Sequence, residues 1–130
     1  MKKAYKIFLI LLLTVGSVTA QADILTDIGN AIRSGDARSV ARYFSTTVDL
    51  TILQQEEVYS KAQAEQVLRD FFSKNTPKSF NLIHKGVSKE GAKYAIGTLV
   101  TAQGTTYRTY FFVKQTSSGE FVQELRFEKQ

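Results

Sequence analysis

Phe80 to Glu128 reads FNLIHKGVSKEGAKYAIGTLVTAQGTTYRTYFFVKQTSSGEFVQELRFE, and this stretch decides the fold. Side chains on a strand point alternately to opposite faces, so a half-buried strand shows a period of two. Four runs here keep that period and are rich in aromatic and β-branched residues: Phe80 to Val87, Lys93 to Ala102, Thr106 to Lys114 and Phe121 to Glu128. They are separated by Ser88-Lys89-Glu90-Gly91, Gln103-Gly104 and Thr116-Ser117-Ser118-Gly119. Each link is short enough for a hairpin, so the four strands are expected as consecutive antiparallel neighbours. Gly97 falls inside a strand, where glycine marks a bulge or a bend, and a bend suits a curving sheet.

Upstream of Pro77, the only proline, the pattern is mostly helical. Ile24, Leu25, Ile28, Ala31 and Ile32 recur at helical spacing, with Asp23 or Thr26 at the helix start and Ser34-Gly35 at its end. Asp36 caps a second helix that sets Ala37, Val40, Ala41 and Phe44 on one face. Val48 to Leu53 reads as a strand and Gln54 to Glu57 as a turn. The best-defined helix begins at Ser60, with Gln63 three residues on as a capping box. Ala64, Val67, Leu68, Phe71 and Phe72 make its apolar face, and Glu65 and Arg69 pair on the other. Helices grouped ahead of a meander specify an α+β domain, with three helices packed on one face of a curved antiparallel sheet.

Charge indicates which sheet face meets the helices. Tyr107, Thr109, Phe111 and Val113 share one face of their strand, and Arg108, Tyr110, Phe112 and Lys114 the other. On the last strand Phe121, Leu125 and Phe127 oppose Val122, Glu124 and Arg126. The charged alternates mark the face away from the helices. With Tyr110, Phe112 and Val122 on it, that face is too apolar for a fully solvated sheet, and a homodimer through it is the expectation.

The N-terminus carries a different signal. Met1-Lys2-Lys3 and Lys6 precede an apolar run from Ile7 to Leu13, followed by small residues from Gly16 to Ala22. This is a secretory signal pattern over residues 1–22, with cleavage after Ala20 or Ala22, leaving one domain over 23–130. A spanning helix needs about 20 apolar residues, so no stable membrane anchor is expected after cleavage. The exported chain is then periplasmic or secreted. Losing Lys2, Lys3 and Lys6 lowers the formal charge from +5 to about +2. The remaining basic residues are interleaved with acids rather than clustered, which excludes a nucleic-acid binder. The chain has no cysteine and one histidine, His84, so disulfides, thiol catalysis, thiolate metal sites and histidine-rich zinc sites are all excluded.

Several segments sharpen the reading: Tyr59-Ser60-Lys61-Ala62-Gln63-Ala64-Glu65, Asp70-Phe71-Phe72, Tyr94-Ala95-Ile96-Gly97-Thr98-Leu99 and Gln123-Glu124-Leu125-Arg126-Phe127-Glu128-Lys129. With three helices ahead of a bent sheet, they resemble an exported bacterial family, domain of unknown function 4783, of the nuclear transport factor 2-like superfamily. The resemblance implies the cone-shaped, cystatin-like fold and an exported location. It implies no activity, because fold alone does not carry function.

No nucleophile elbow, phosphate-cradling glycine loop or metal motif is present, and no cofactor is implied. The side chains whose types would serve acid–base chemistry are His84, Asp49 and Tyr59. His84 shares a strand face with Phe80 and Leu82 and is expected to point inward, where a lone histidine is ordinarily structural. Asp49 alternates with Val48 and Leu50 and faces solvent or caps a turn. Tyr59 is either a hydrophobic staple for the capped helix or a pocket hydroxyl. The favoured function is an exported, non-enzymatic binding module, holding a small apolar ligand in the cone or meeting another envelope protein. The alternative is a small isomerase or hydro-lyase in which these three residues converge in the cone.

Overall fold

A computed structural model describes residues 23–88 and 90–130 of the chain. The expected signal and its two cleavage points lie outside the described residues. Asp23 opens the first helix, α1 (Ile24–Ser34), its Oδ1 accepting from the Leu25 backbone N–H at 3.1 Å. Gly35 closes it with a left-handed φ of 69°. Asp36 caps α2 (Ala37–Ala41) in the same way, accepting from the Arg38 N–H at 3.0 Å. The helix ends before Phe44, which opens strand β1 (Phe44–Ile52) and is fully buried there. Helical spacing thus placed Phe44 on the wrong element but on the correct side, facing the core.

A two-residue turn, Leu53-Gln54, joins β1 to β2 (Gln55–Ser60), so three of the four residues expected as a turn, Gln55 to Glu57, are strand paired with β1. The capping box then starts α3 (Lys61–Lys74): Ser60 Oγ accepts from the Gln63 N–H at 3.3 Å, and Gln63 Oε1 accepts from the Ser60 N–H at 3.4 Å. Glu65 and Arg69 pair at 3.0 Å on its outer side. Asn75 stops the helix, its side chain donating to the Phe71 carbonyl and accepting from the Tyr107 hydroxyl at 2.7 Å. Strands β3 (Pro77–Val87), β4 (Lys93–Thr101), β5 (Thr106–Thr116) and β6 (Gly119–Lys129) complete the chain.

The six strands lie in the order β2-β1-β6-β5-β4-β3. The four C-terminal strands are consecutive antiparallel neighbours, as the meander requires. One pairing departs from a wholly antiparallel sheet: β1 runs parallel to β6. The reason is topological. The β1–β2 hairpin is laid against the far side of the meander, and α3 carries the chain back across the concave face to β3. Its 14 residues span about 21 Å, close to the roughly 24 Å of five strand spacings.

The core fills the space between helices and sheet. Phe44, Leu50, Leu68, Phe80, Leu99, Phe111, Leu125 and Phe127 are all essentially inaccessible. Phe71 stacks on Phe127 at 4.8 Å between ring centroids and meets Tyr107 edge-on at 5.3 Å. Such pairs add to area burial because the ring quadrupoles favour tilted and edge-to-face geometry.

Two irregularities in the ladder change which side chains face out. Leu82 pairs with Gly97 and His84 with Ile96, so Ile83 is an extra residue on β3. A bulge of this kind shifts the alternation by one. His84 is therefore exposed on the outer face rather than inward with Phe80 and Leu82. Likewise Phe112 pairs with Glu124 and Val113 with Val122, which makes Gln123 the extra residue on β6. Val122 is consequently buried at 1 % exposure, and Phe121 takes the outward position. This corrects the placement of Val122 among the outer-face residues; Tyr110 and Phe112 do lie on that face, half-buried.

Candidate functional site

The concavity nearest the mouth of the cone lies between the β1–β2 hairpin and α3. It encloses about 330 Å³. Leu50 and Ile52 line it from the hairpin, and Val67 and Phe71 from the helix. Polar groups sit at its rim: Asp70 and Lys74, paired at 3.2 Å, with Asn75 beside them. Tyr59 belongs to this wall. It pairs with the buried Val48 across the hairpin and so points toward α3. Desolvation raises the pKa of its hydroxyl, and the hydrogen bond and negative charge of Glu57 add to the shift. The tyrosine that precedes the capped helix thus also forms a wall of the pocket.

Ile52, Leu53 and Gln55 also line a wider, open cleft of about 850 Å³, which continues past Glu128 and Lys129 at the strand ends. Leu53 is the junction of the two. It is the only non-glycine described residue with positive φ, at 61°, and its N–H donates to the Phe127 carbonyl at 2.8 Å. A left-handed leucine costs about 1–2 kcal/mol, because Cβ approaches the following carbonyl. Here the side chain is also 46 % exposed, so burial does not offset that cost. The conformation comes from the turn: a two-residue hairpin needs a positive φ at a central position, and Leu53 occupies the first of the two. Leu53→Gly is expected to stabilise the fold by about 0.5–1 kcal/mol, after glycine's extra unfolded-state entropy is deducted. Urea denaturation measures it, and an unchanged or lower midpoint would mean that the turn is unstrained.

Asp49 and His84 lie elsewhere, on the outer face of the sheet. They sit on β1 and β3, four strand spacings apart in the strand order, about 19 Å along the sheet. The structure therefore does not bring His84, Asp49 and Tyr59 together. His84 Nε2 contacts the Tyr94 hydroxyl at 3.2 Å, and the Tyr94 and Tyr110 rings follow at 6.4 Å. Arg126 lies over the Tyr110 ring, 5.5 Å from its centroid, and pairs with Glu124 and more distantly with Glu128.

Around Asp49 a polar group forms that strand alternation alone did not reveal. Asp49 pairs in register with Glu124 on one side and Val58 on the other, and Thr51 with Arg126 and Glu56. The Glu56 pKa is raised, first by its hydrogen-bonded approach to Asp49 and then by the Asp49 charge. The folded chain therefore takes up this proton more readily than the unfolded chain. The mutual repulsion is present at neutral pH and relaxes as pH falls through the raised value. Asp49 Oδ1 and Thr51 Oγ1 are both buried without a hydrogen-bond partner; Thr109 Oγ1 shares that state on the opposite, inner face. Among the described residues no three His, Asp or Glu side chains are grouped to hold a metal ion, and no helix is long and apolar enough to cross a membrane.

No curated protein matches the chain. A solved DUF4783 family protein from Bacteroides fragilis is 30 % identical, covering 83 % of this chain and 100 % of its own, with a TM-score of 0.75. One from Bacteroides uniformis is 26 % identical, covering 83 % and 98 %, with a TM-score of 0.77. A domain of unknown function with a cystatin-like fold from Nostoc punctiforme is 10 % identical over 82 % of this chain and 72 % of its own, with a TM-score of 0.63, a likeness of fold alone. The family described as "Domain of unknown function (DUF4783)" matches residues 25–128, and the chain belongs to that family, on the nuclear transport factor 2-like fold.

Proposed function

We propose that this chain is an exported binding module, without chemistry of its own, that seats a small amphipathic molecule between the β1–β2 hairpin and α3. One observation supports this reading: the 330 Å³ cleft has an apolar wall of Leu50, Ile52, Val67 and Phe71 and a rim of Asp70, Lys74 and Asn75. Small-ligand sites combine an apolar lining with a few polar groups that fix orientation. The deeper cone interior is filled by phenylalanine and leucine, so the ligand sits at the mouth. The three acid–base candidates of the alternative enzyme reading do not converge.

Native mass spectrometry of the protein released gently from its own export compartment tests the reading. The expected result is an added small-molecule mass that is lost in Val67→Glu, which places a charge in the cleft wall. No added mass, or one retained by a folded Val67→Glu chain, overturns it. The same reading includes a second copy on the outer sheet face, supported by the half-buried Tyr110 and Phe112. Phe112→Lys is expected to convert a dimer into a folded monomer in sedimentation. An unchanged dimer would sink the role of this face.

A further inference from the structure

We propose that the outer-face group around Thr51 binds a small organic ammonium ion through Asp49, Thr51 and Glu56. The group is not simply a cluster of acids. Thr51 is only 7 % exposed, and its hydroxyl has no partner. Strand alternation puts it on the outer face with Asp49, because the intervening Leu50 faces the core. Its register neighbours are Glu56 on β2 and Arg126 on β6. A buried hydroxyl or carboxylate oxygen without a partner carries a desolvation penalty that a bound donor removes. Two such oxygens, Asp49 Oδ1 and Thr51 Oγ1, occur one register step apart on the same face.

Arg126, whose charge reaches Glu56, does not fill this role. The Arg126 guanidinium is committed to Glu124, to Glu128 at 3.8 Å and to the Tyr110 ring. Counting the side chains that face the group from β1, β2, β5 and β6, Asp49, Glu56, Glu124 and Glu128 outnumber Arg108 and Arg126. The site is electronegative, and it lacks donors rather than acceptors. A primary ammonium supplies three N–H donors and no acceptor, matching the two orphaned oxygens and a Glu56 carboxylate oxygen. The raised Glu56 pKa agrees, since an ammonium between Glu56 and Asp49 would relieve the repulsion that causes it. A hard metal ion would ask for six or more oxygens.

Butylammonium is the probe, titrated into the labelled chain and followed by NMR at constant ionic strength. Saturating shifts are expected at Asp49, Thr51, Glu56 and Glu124. Tetramethylammonium carries the same charge without an N–H donor and is expected to leave these signals unmoved. Thr51→Val keeps the side-chain shape and is expected to weaken binding roughly fivefold, the equivalent of one hydrogen bond of about 1 kcal/mol. Glu56→Gln, on an exposed position, is expected to weaken it further without affecting the fold. The proposal is overturned by any of four results: equal shifts with tetramethylammonium, no saturation with butylammonium, a saturating response to calcium alone, or undiminished binding in both folded variants.

Discussion

Phe127→Ala is expected to cost about 3–5 kcal/mol of folding free energy, the range for deleting a buried phenylalanine. The position explains why the site has little freedom to collapse. Phe127 is inaccessible on the central strand β6, with Phe71 stacked at 4.8 Å and Phe72 edge-on at 6.3 Å. Both rings belong to α3, which rises over the sheet and is tied at its end through Asn75 to Tyr107. Removing the ring leaves a void beneath a helix whose two ends are fixed. The backbone of the same residue also holds the β1–β2 turn, through its carbonyl and the Leu53 N–H. Total stability of a domain this size is typically 5–15 kcal/mol, so the loss takes a large fraction of it. At roughly 4 °C or more per kcal/mol, the unfolding midpoint is expected to fall by at least about 12 °C. Thermal and urea unfolding measure the change. A loss below about 2 kcal/mol would mean that α3 settles into the void, and the core is looser than its packing implies. Val87→Ala, at a side chain 69 % exposed, is the matching control and should stay within about 0.5 kcal/mol.

Local chemistry made much of this architecture legible. The Ser60 and Gln63 capping box is visible as two residue types at one spacing, and its two hydrogen bonds form as that spacing requires. The meander is equally local: each turn lies between its own two strands. What could not be read depends on pairings between distant segments. Nothing near Val48 or Leu125 says that β1 will lie parallel to β6. The bulges at Ile83 and Gln123 are also products of pairing, because an extra residue is defined only against a partner strand. Phe121 and Val122 are both apolar, so alternation gave no sign that the inward position belongs to Val122. His84 follows the apolar Ile83, and the same ambiguity turned it inward on paper. The candidate sites suffered accordingly. Tyr59 sits beside a cleft because helix and hairpin are neighbours in sequence. Thr51, Glu56 and Arg126 come from three strands and carry no shared motif. The left-handed Leu53 had no sequence signal at all, since leucine is the wrong residue for that conformation.

Gly97→Val is expected to cost about 3 kcal/mol or more, at the upper end of what overpacking does. A Cβ at Gly97 would stand 2.5 Å from Phe80 Cζ and 2.9 Å from the Asn81 carbonyl oxygen. The first contact is with a ring that is itself 1 % exposed, and the second with the backbone of the neighbouring strand, so neither can yield cheaply. Phe80 is held from the other side as well. A Cβ at Gly29 on α1 would lie 3.2 Å from Phe80 Cε1, and Arg33 of the same helix donates to the Phe80 carbonyl at 2.8 Å. The ring thus lies between two glycines, one on the helix and one on the sheet, filling the room that their missing side chains leave. The two positions nevertheless differ. At Gly29 the displacement needed is a few tenths of an ångström, and the gain in helix propensity from glycine to alanine is about 1 kcal/mol, so Gly29→Ala is expected to be near neutral. At Gly97 no propensity gain offsets the clash with backbone, and alanine alone should cost about 1–3 kcal/mol. A double-mutant cycle isolates the cause. If the ring is the main obstacle, Phe80→Leu shortens it, and Gly97→Ala in that background should cost at least about 1 kcal/mol less than in the parent chain. Costs that simply add would assign the penalty to the Asn81 carbonyl instead, making Gly97 a requirement of close strand approach and not of the ring.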